Sequence, residues 1–216
     1  MVQSLTRERP AVRVAKGEQT RDRIMDIAEL SVLEKGFAAT SIDELLCEAG
    51  ITKSGFFYHF RDKNDLALGL IERFRERNLS IFEENFRRAD ELAEDPLQSF
   101  LVGLKLLAEI MAEVQTERPG CLVSTFVFQD QQFDARVRHL LVDLIEVWRG
   151  QFLARLERVA SVHPPRIDIA LPDLADMLMV IIDGGIVVSK AVHEPQIMAR
   201  QILAYRAFVR VVFLGA

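Results

Sequence analysis

The sequence predicts an all-α protein, with a small three-helix unit at its N-terminal end and a larger helical bundle behind it. Three observations carry this. Apolar residues recur at three- and four-residue steps along most of the 216 residues, the spacing of one face of a helix. No Asn-Gly or Asp-Gly turn sits between alternating apolar and polar runs, as a β-hairpin would need, and glycine and proline are sparse at 11 and 7. Half of the chain is hydrophobic, enough to fill a sizeable core.

Residues 1–18 are polar and charged, hold Pro10 and Gly17, and have nothing periodic to bury, so they are expected to form a flexible basic arm. The first helix is expected over about residues 18–36, with Ile24, Ile27, Ala28 and Val32 as its apolar stripe. Residues 41–49 carry Ile42, Leu45, Leu46 and Ala49 on one helical face, and Gly50 then stops that helix. Thr52 can cap the next one, which lies within residues 51–60, ITKSGFFYHF. Two helices joined by a short turn containing Gly form a helix-turn-helix, whose second helix lies in the major groove of DNA. Phe37, Ile42, Leu45, Phe56 and Phe60 complete this small core. About 45 residues make a marginal core alone, so the unit is expected to lean on the helices after it.

A long helix over about residues 63–89, with Leu66, Leu70, Phe74, Phe82 and Phe86, connects the small unit to the rest. Asp95-Pro96 starts the next helix, Asp as cap and Pro at the first helical position, and it runs to about residue 114. Arg118-Pro119-Gly120 breaks the chain, residues 121–130 offer a short apolar helix, and a long one comes next over about 133–162 until His163-Pro164-Pro165 ends it. Two helices close the chain, about 172–192 and 195–214. The first is apolar nearly all round, interrupted by Asp183, Gly184 and Gly185; the second has one stripe through Ile202, Tyr205 and Val209 and another through Ala204, Phe208 and Val211. Both present more apolar surface than one core needs, which predicts a homodimer whose interface holds Val180, Gly184, Val187, Ile202, Tyr205 and Val209. The expected division is 1–18 arm, 19–66 DNA-binding domain and 67–216 ligand-binding and dimerisation domain.

On the reading helix Phe56 and Phe60, four apart, face inward, which turns Lys53, Ser54, Phe57 and Tyr58 toward the groove or its walls. Lys53 can donate to guanine or phosphate, Gly55 lets the backbone approach base edges, and Tyr58 and His59 offer ring donors to phosphate. Lys63 adds a charge at the start of the connecting helix, and Thr40 can cap the second helix and donate to phosphate. Each has a plainer reading, the lysines as solvated charges, Thr40 as a cap only, His59 as a surface imidazole. The net charge of -5 runs against a nucleic-acid partner, but residues 1–23 hold an excess of three positive charges and Lys53, Arg61 and Lys63 cluster around the reading helix.

Several motifs in order, Thr20-Arg21-Asp22-Arg23-Ile24, Glu34-Lys35-Gly36-Phe37, Ala39-Thr40-Ser41-Ile42, Ala49-Gly50-Ile51, Tyr58-His59-Phe60 and Lys63-Asn64-Asp65-Leu66, resemble the TetR (tetracycline-repressor-like) family of bacterial transcription regulators. The resemblance implies DNA contacts at Thr40, Thr52, Lys53, Gly55, Phe57, His59 and Lys63. It also implies a pseudo-palindromic operator, repression, and release by a small, mostly apolar effector held in the C-terminal part. Candidate walls are Phe86, Leu104, Phe126, Trp148, Phe152 and Met177, which read equally as ordinary core. Two positions depart from the family pattern: Phe57 stands where Tyr is usual, and Ser31 and Val32 stand where bulkier apolar residues are favoured.

No phosphate-binding loop, nucleophile elbow or dinucleotide fingerprint is present, so no catalytic residue and no cofactor are predicted. His139 and Asp143 share a helix face but lack further ligands, and no metal site is expected. Cys47 and Cys121 have neither metal-ligand spacing nor a secretory leader before them, and the longest apolar run is short of a bilayer span, which predicts a reduced, cytoplasmic protein with no membrane partner. Two rival classes remain: a helical module in which residues 51–60 dock a protein, and an enzyme using a helical cavity with Asp183 as its acid.

Overall fold

The computed structural model describes residues 16–117 and 120–215. Among them the chain is all-α, with a helix-turn-helix domain at the N-terminal end and a helical domain after it. The order is α1 (Lys16–Lys35), α2 (Ile42–Ala49), α3 (Lys53–His59), α4 (Lys63–Leu92), α5 (Pro96–Glu117), α6 (Leu122–Val127), α7 (Ala135–Val162), α8 (Leu171–Val192) and α9 (Gln196–Leu214), with a 3₁₀ turn at Asp130–Gln132 before α7. Residues 1–15 of the predicted arm lie outside the described residues, and its last three open α1.

Local chemistry sets the helix ends. Asp95 caps α5, its carboxylate accepting from the Gln98 amide at 2.9 Å, and Asp134 caps α7 by accepting from the amides of Arg136 and Val137. The α1 stripe is turned inward, with Ile24, Ala28 and Val32 buried against Phe37, Leu45, Phe56 and Phe60. That small core does lean outward. Leu122, Val123 and Phe126 of α6 and Phe133, Val137, Leu141 and Leu144 at and beyond the start of α7 belong to the same buried cluster. Phe37 meets Phe126 edge-on at 5.3 Å and Phe133 at 4.7 Å between ring centroids.

A second core joins α5, α8 and α9 with the far ends of α4 and α7. At its centre α4 and α5 approach closely: Gly103 lies against the Phe86 ring, and the buried Asn85 side-chain amide donates to the Gly103 carbonyl at 3.1 Å.

The interface expected on α9 needs correction. Ile202, Tyr205 and Val209 are buried within the single chain, because α9 packs on both α5 and α8 and presents that stripe to them. The Tyr205 hydroxyl donates to the Leu174 carbonyl at 2.8 Å inside this core. The face left uncovered is the other one, with Leu203, Ala204, Ala207, Val211 and Leu214 on α9 beside Val180, Gly184, Val187, Val188 and Val192 on α8. Val180 is 70% exposed, far more than a valine of an apolar helix needs to be.

Candidate functional site

The α2–α3 pair is held by side chains that satisfy its free backbone ends. Ser41 and Glu44 form a capping box at the start of α2, and Gly50 closes that helix in the left-handed conformation at φ 60°. Thr52 caps α3, its hydroxyl accepting from the Gly55 amide at 3.2 Å and sitting 3.0 Å from the Ser54 hydroxyl. The Arg23 guanidinium donates to the Ala49 carbonyl and ties α1 to the end of α2. Phe56 and Phe60 are buried, so α3 cannot rotate without expelling two phenyl rings from the core.

The outward side of α3 then comes from helix geometry. Thr52, Lys53, Ser54, Phe57 and Tyr58 are exposed, with Tyr58 at 82%, while Gly55 and His59 are half-buried at the edge of the same row. Lys53 makes no ion pair among the described residues. This surface offers hydroxyls, one unpaired cation, and aromatic rings of which Tyr58 and His59 pack edge-on at 4.9 Å.

Two predicted contacts sit differently. Thr40 is fully buried; its hydroxyl donates to the Gly36 carbonyl at 3.0 Å and pairs with the Ser31 hydroxyl at 3.0 Å. Ser31 and Thr40 therefore lock the α1–α2 turn, and Ser41 rather than Thr40 is the cap of α2. Lys63 is turned inward: its ammonium donates to the Phe37 carbonyl at 2.6 Å and lies 4.4 Å from the centre of the Phe37 ring. Burial pushes its pKa down.

Behind this unit, α1, α4, α5, α7, α8 and the start of α6 line a partly open cavity of about 300 Å³. Of the six candidate walls, Trp148 and Phe152 line it, joined by Phe74, Phe82, Leu107, Met111, Met179 and Ile182. Phe86 and Leu104 are sealed within the second core, Phe126 packs in the first beside Phe37, and Met177, two residues before the wall residue Met179, faces the outer side of α8. Composition could not separate these from the true walls, since all are apolar residues at helical spacing. Of the polar wall residues only Asp183 was anticipated, as the acid of a helical cavity; Glu29, Arg77, Asn78 and Gln115 were not. Glu29 of α1 is 3% exposed and accepts from Arg73 at 2.7 Å and from Arg77 at 2.8 Å. Burial works against its charge, but the two guanidiniums outweigh it and hold the carboxyl below its ordinary value. Asp183 of α8, singled out in the sequence as the acid of a helical cavity, borders the same space 3.3 Å from the Ser124 hydroxyl; the residue is still open to solvent, and the partial burial of its carboxyl among apolar walls raises its pKa.

The cavity and the α1–α3 unit share direct ties. Glu29 and Leu33 of α1 form part of the wall; Lys190 of α8 donates to the Leu33 carbonyl at 2.9 Å; and the Gln129 side chain accepts from the Ala38 amide at 3.1 Å in the α1–α2 turn.

Residues 24–70 match the family model described as bacterial regulatory proteins, tetR family. The HTH-type transcriptional regulator AcrR of Shigella flexneri is 27% identical over 118 residues, 55% of this chain and 52% of that protein. The transcriptional regulator AcuR of Cereibacter sphaeroides is 30% identical over 128 residues, 59% of this chain and 56% of its own length. The chain thus spans about half the length of these two relatives. In fold it is similar to a TetR-family transcriptional regulator from Agrobacterium tumefaciens, with a TM-score of 0.74 at 17% identity over 91% of this chain and 99% of that one. It is likewise similar to a regulatory protein TetR from Rhodobacter sphaeroides, with a TM-score of 0.72 at 23% identity over 87% and 97%.

Proposed function

We propose that this chain, which belongs to the TetR family of bacterial regulatory proteins, is a DNA-binding transcriptional repressor that holds its operator as a homodimer and releases it when a small, mostly apolar effector fills the cavity. The observation that carries this reading is the phase of α3: two phenyl rings anchor one side, and the other offers Lys53, Ser54, Phe57 and Tyr58 to a groove. Thr52, Gly55 and His59 border that surface. Thr40 and Lys63 act behind it by holding the α1–α2 turn and the start of α4 in place. The DNA-binding unit, expected as 19–66, borrows its floor from α6 and α7.

Pairing of two copies is supported by the uncovered face of α8 and α9. Gly184 stands there with open space where a side chain would be, so a partner helix can approach its backbone. A two-fold axis through this face presents two α3 helices to successive major-groove faces about 34–36 Å apart. The cavity adjoins α4, the shaft between the two cores, and α1, which carries the reading unit. An effector that prefers the wrong separation of the reading helices weakens DNA binding, and DNA must weaken effector binding by the same factor.

The test is a gel shift against the DNA upstream of the chain's own gene across a salt series. Operator binding that falls steeply as salt rises is expected. No binding, or binding indifferent to salt, overturns the reading.

A further inference from the structure

We propose that the effector is a small aromatic cation, an amine or a quaternary ammonium, whose positive charge rests against Asp183. This builds on the cavity being the effector site and names what it selects.

Between residues 177 and 188 the only charged side chain is Asp183, set in an otherwise apolar stretch of α8. It lies four positions after Met179 and three before Ile186, both of them wall residues, so it shares the cavity-facing side of α8. Its hydrogen-bond partner among the described residues is the Ser124 hydroxyl, at 3.3 Å, and no described cation lies within ion-pair distance. The other acid in the wall, Glu29, is already matched by Arg73 and Arg77. Asp183 is therefore the carboxylate whose charge the described wall leaves uncompensated.

The remaining polar groups favour the same ligand. Gln115 spends both ends of its amide on Gly120, at 3.2 and 3.1 Å. Asn78 gives one amide hydrogen to the Phe74 carbonyl at 2.8 Å, and its oxygen has no donor among the described residues. Arg77 is held by Glu29. The one full charge of the wall that lacks a countercharge is thus negative, the reverse of what an anion needs. Around them stand aromatic rings, Phe74 edge-on to Trp148 at 6.0 Å and Phe82 edge-on to Phe152 at 5.1 Å, faces that attract cations and pack aromatic bodies. About 300 Å³ is the small end of ordinary ligand sites, room for a single-ring compound rather than a long acyl chain.

Trp148 is the one tryptophan of the chain and lines the cavity, so its fluorescence reports occupancy without a label. The probes are phenylbutylamine, phenylbutanol and phenylbutyrate, titrated into the full chain without DNA near neutral pH. The amine is expected to bind at least about tenfold more tightly than the alcohol, with the carboxylate weakest. In Asp183→Asn, nearly isosteric, the amine falls to the affinity of the alcohol and the alcohol is unchanged, with the melting curve as a fold control. Equal or tighter binding of the carboxylate, an amine preference that survives in Asp183→Asn, or no binding by any probe at millimolar concentration each overturns the proposal. The wild-type rank order decides the matter even where the variant fails to fold. A gel shift run alongside separates the two readings. Operator binding with no amine site sinks this inference alone, whereas amine binding without operator binding sinks the regulatory one.

Discussion

The Glu29 carboxylate of α1 accepts from Arg77 of α4 at 2.8 Å while forming part of the cavity wall. One buried acid thus belongs both to the reading unit and to the space proposed for the effector, and its partners Arg73 and Arg77 lie one helical turn apart on the shaft between the two cores. A ligand that displaces Arg77 would remove one of the ion pairs between α1 and α4, leaving Arg73 with Glu29 and Asp26, without touching α3.

Glu29→Gln should therefore weaken communication between the sites. The lost charge leaves Arg77 without its carboxylate while Arg73 keeps Asp26, and is expected to cost about 2 kcal/mol, below the usual figure for a broken buried pair because both arginines are partly exposed. Effector should then change operator affinity much less than in the wild type, measured by gel shift with and without ligand. Since the folded-state pKa of Glu29 is lowered, its contribution is present above the unfolded value of 4.5 and lost as pH falls through the folded one. The Tm gap between wild type and Glu29→Gln should accordingly close on acidification below that value.

Asp183 titrates in the opposite sense. Desolvation raises its folded pKa above the ordinary 3.8, so it is tolerated best when protonated and costs stability as pH rises through the folded value. Asp183→Asn removes that cost. Because the residue is still open to solvent, the gain is small: without ligand, the variant should melt slightly above wild type at pH 7, and the gap should shrink toward zero near pH 4 in scanning calorimetry.

Gly103→Ala tests the α4–α5 crossing. A methyl group there would collide with the Phe86 ring, which is confined by Phe82 at 4.6 Å and Phe100 at 6.0 Å between ring centroids. Overpacking at a position with no room to yield should cost about 2 kcal/mol or more, read as a lower midpoint in urea.

The two lysines near the reading helix should separate cleanly. Lys53→Ala is expected to weaken operator binding roughly tenfold, 1–3 kcal/mol being usual for a lost base contact, with Tm unchanged. Lys63→Ala removes the hydrogen bond and ring contact to Phe37 and should lower stability by about 1–2 kcal/mol. A Tm loss confined to Lys53→Ala would reverse these assignments.

How far the sequence could be read depended on whether a feature was local. Gly50, Asp95-Pro96 and His163-Pro164-Pro165 punctuate the helices by chemistry within a few residues, and the ends of α2, α5 and α7 fall there. The phase of α3 was legible because Phe56 and Phe60 are four apart on a short helix with a polar far side. Partnerships between distant segments left no such mark. Glu29, Arg73 and Arg77 look like solvated charges until α1 and α4 meet, and Phe126 and Trp148 are alike in composition, although one fills a core and the other walls a cavity. The Lys63 side chain read as a surface cation because the Phe37 carbonyl that holds it lies 26 residues away.

On α9 the ambiguity had a definite origin, and it yields the sharpest test of subunit pairing. The helix carries two apolar stripes, and periodicity ranks neither as the inner one. The larger side chains of Ile202, Tyr205 and Val209 settle against α5 and α8, which leaves Leu203, Val211 and Leu214 outside with the smaller Ala204 and Ala207. Tyr205→Phe should remove the hydroxyl's hydrogen bond to the Leu174 carbonyl and cost about 1 kcal/mol while the sedimenting mass stays that of a dimer. Leu203→Glu places a charge on a residue 43% exposed in the single chain, so the fold should survive with its Tm nearly unchanged. Buried between two copies, the same carboxylate would lose its water and face its own symmetry mate, and the protein should sediment as a monomer. With the two reading helices no longer joined, operator binding should fall by more than the roughly tenfold expected for Lys53→Ala, because each half-site must then be held alone. A Leu203→Glu protein that remains dimeric would move the interface off this face of α8 and α9.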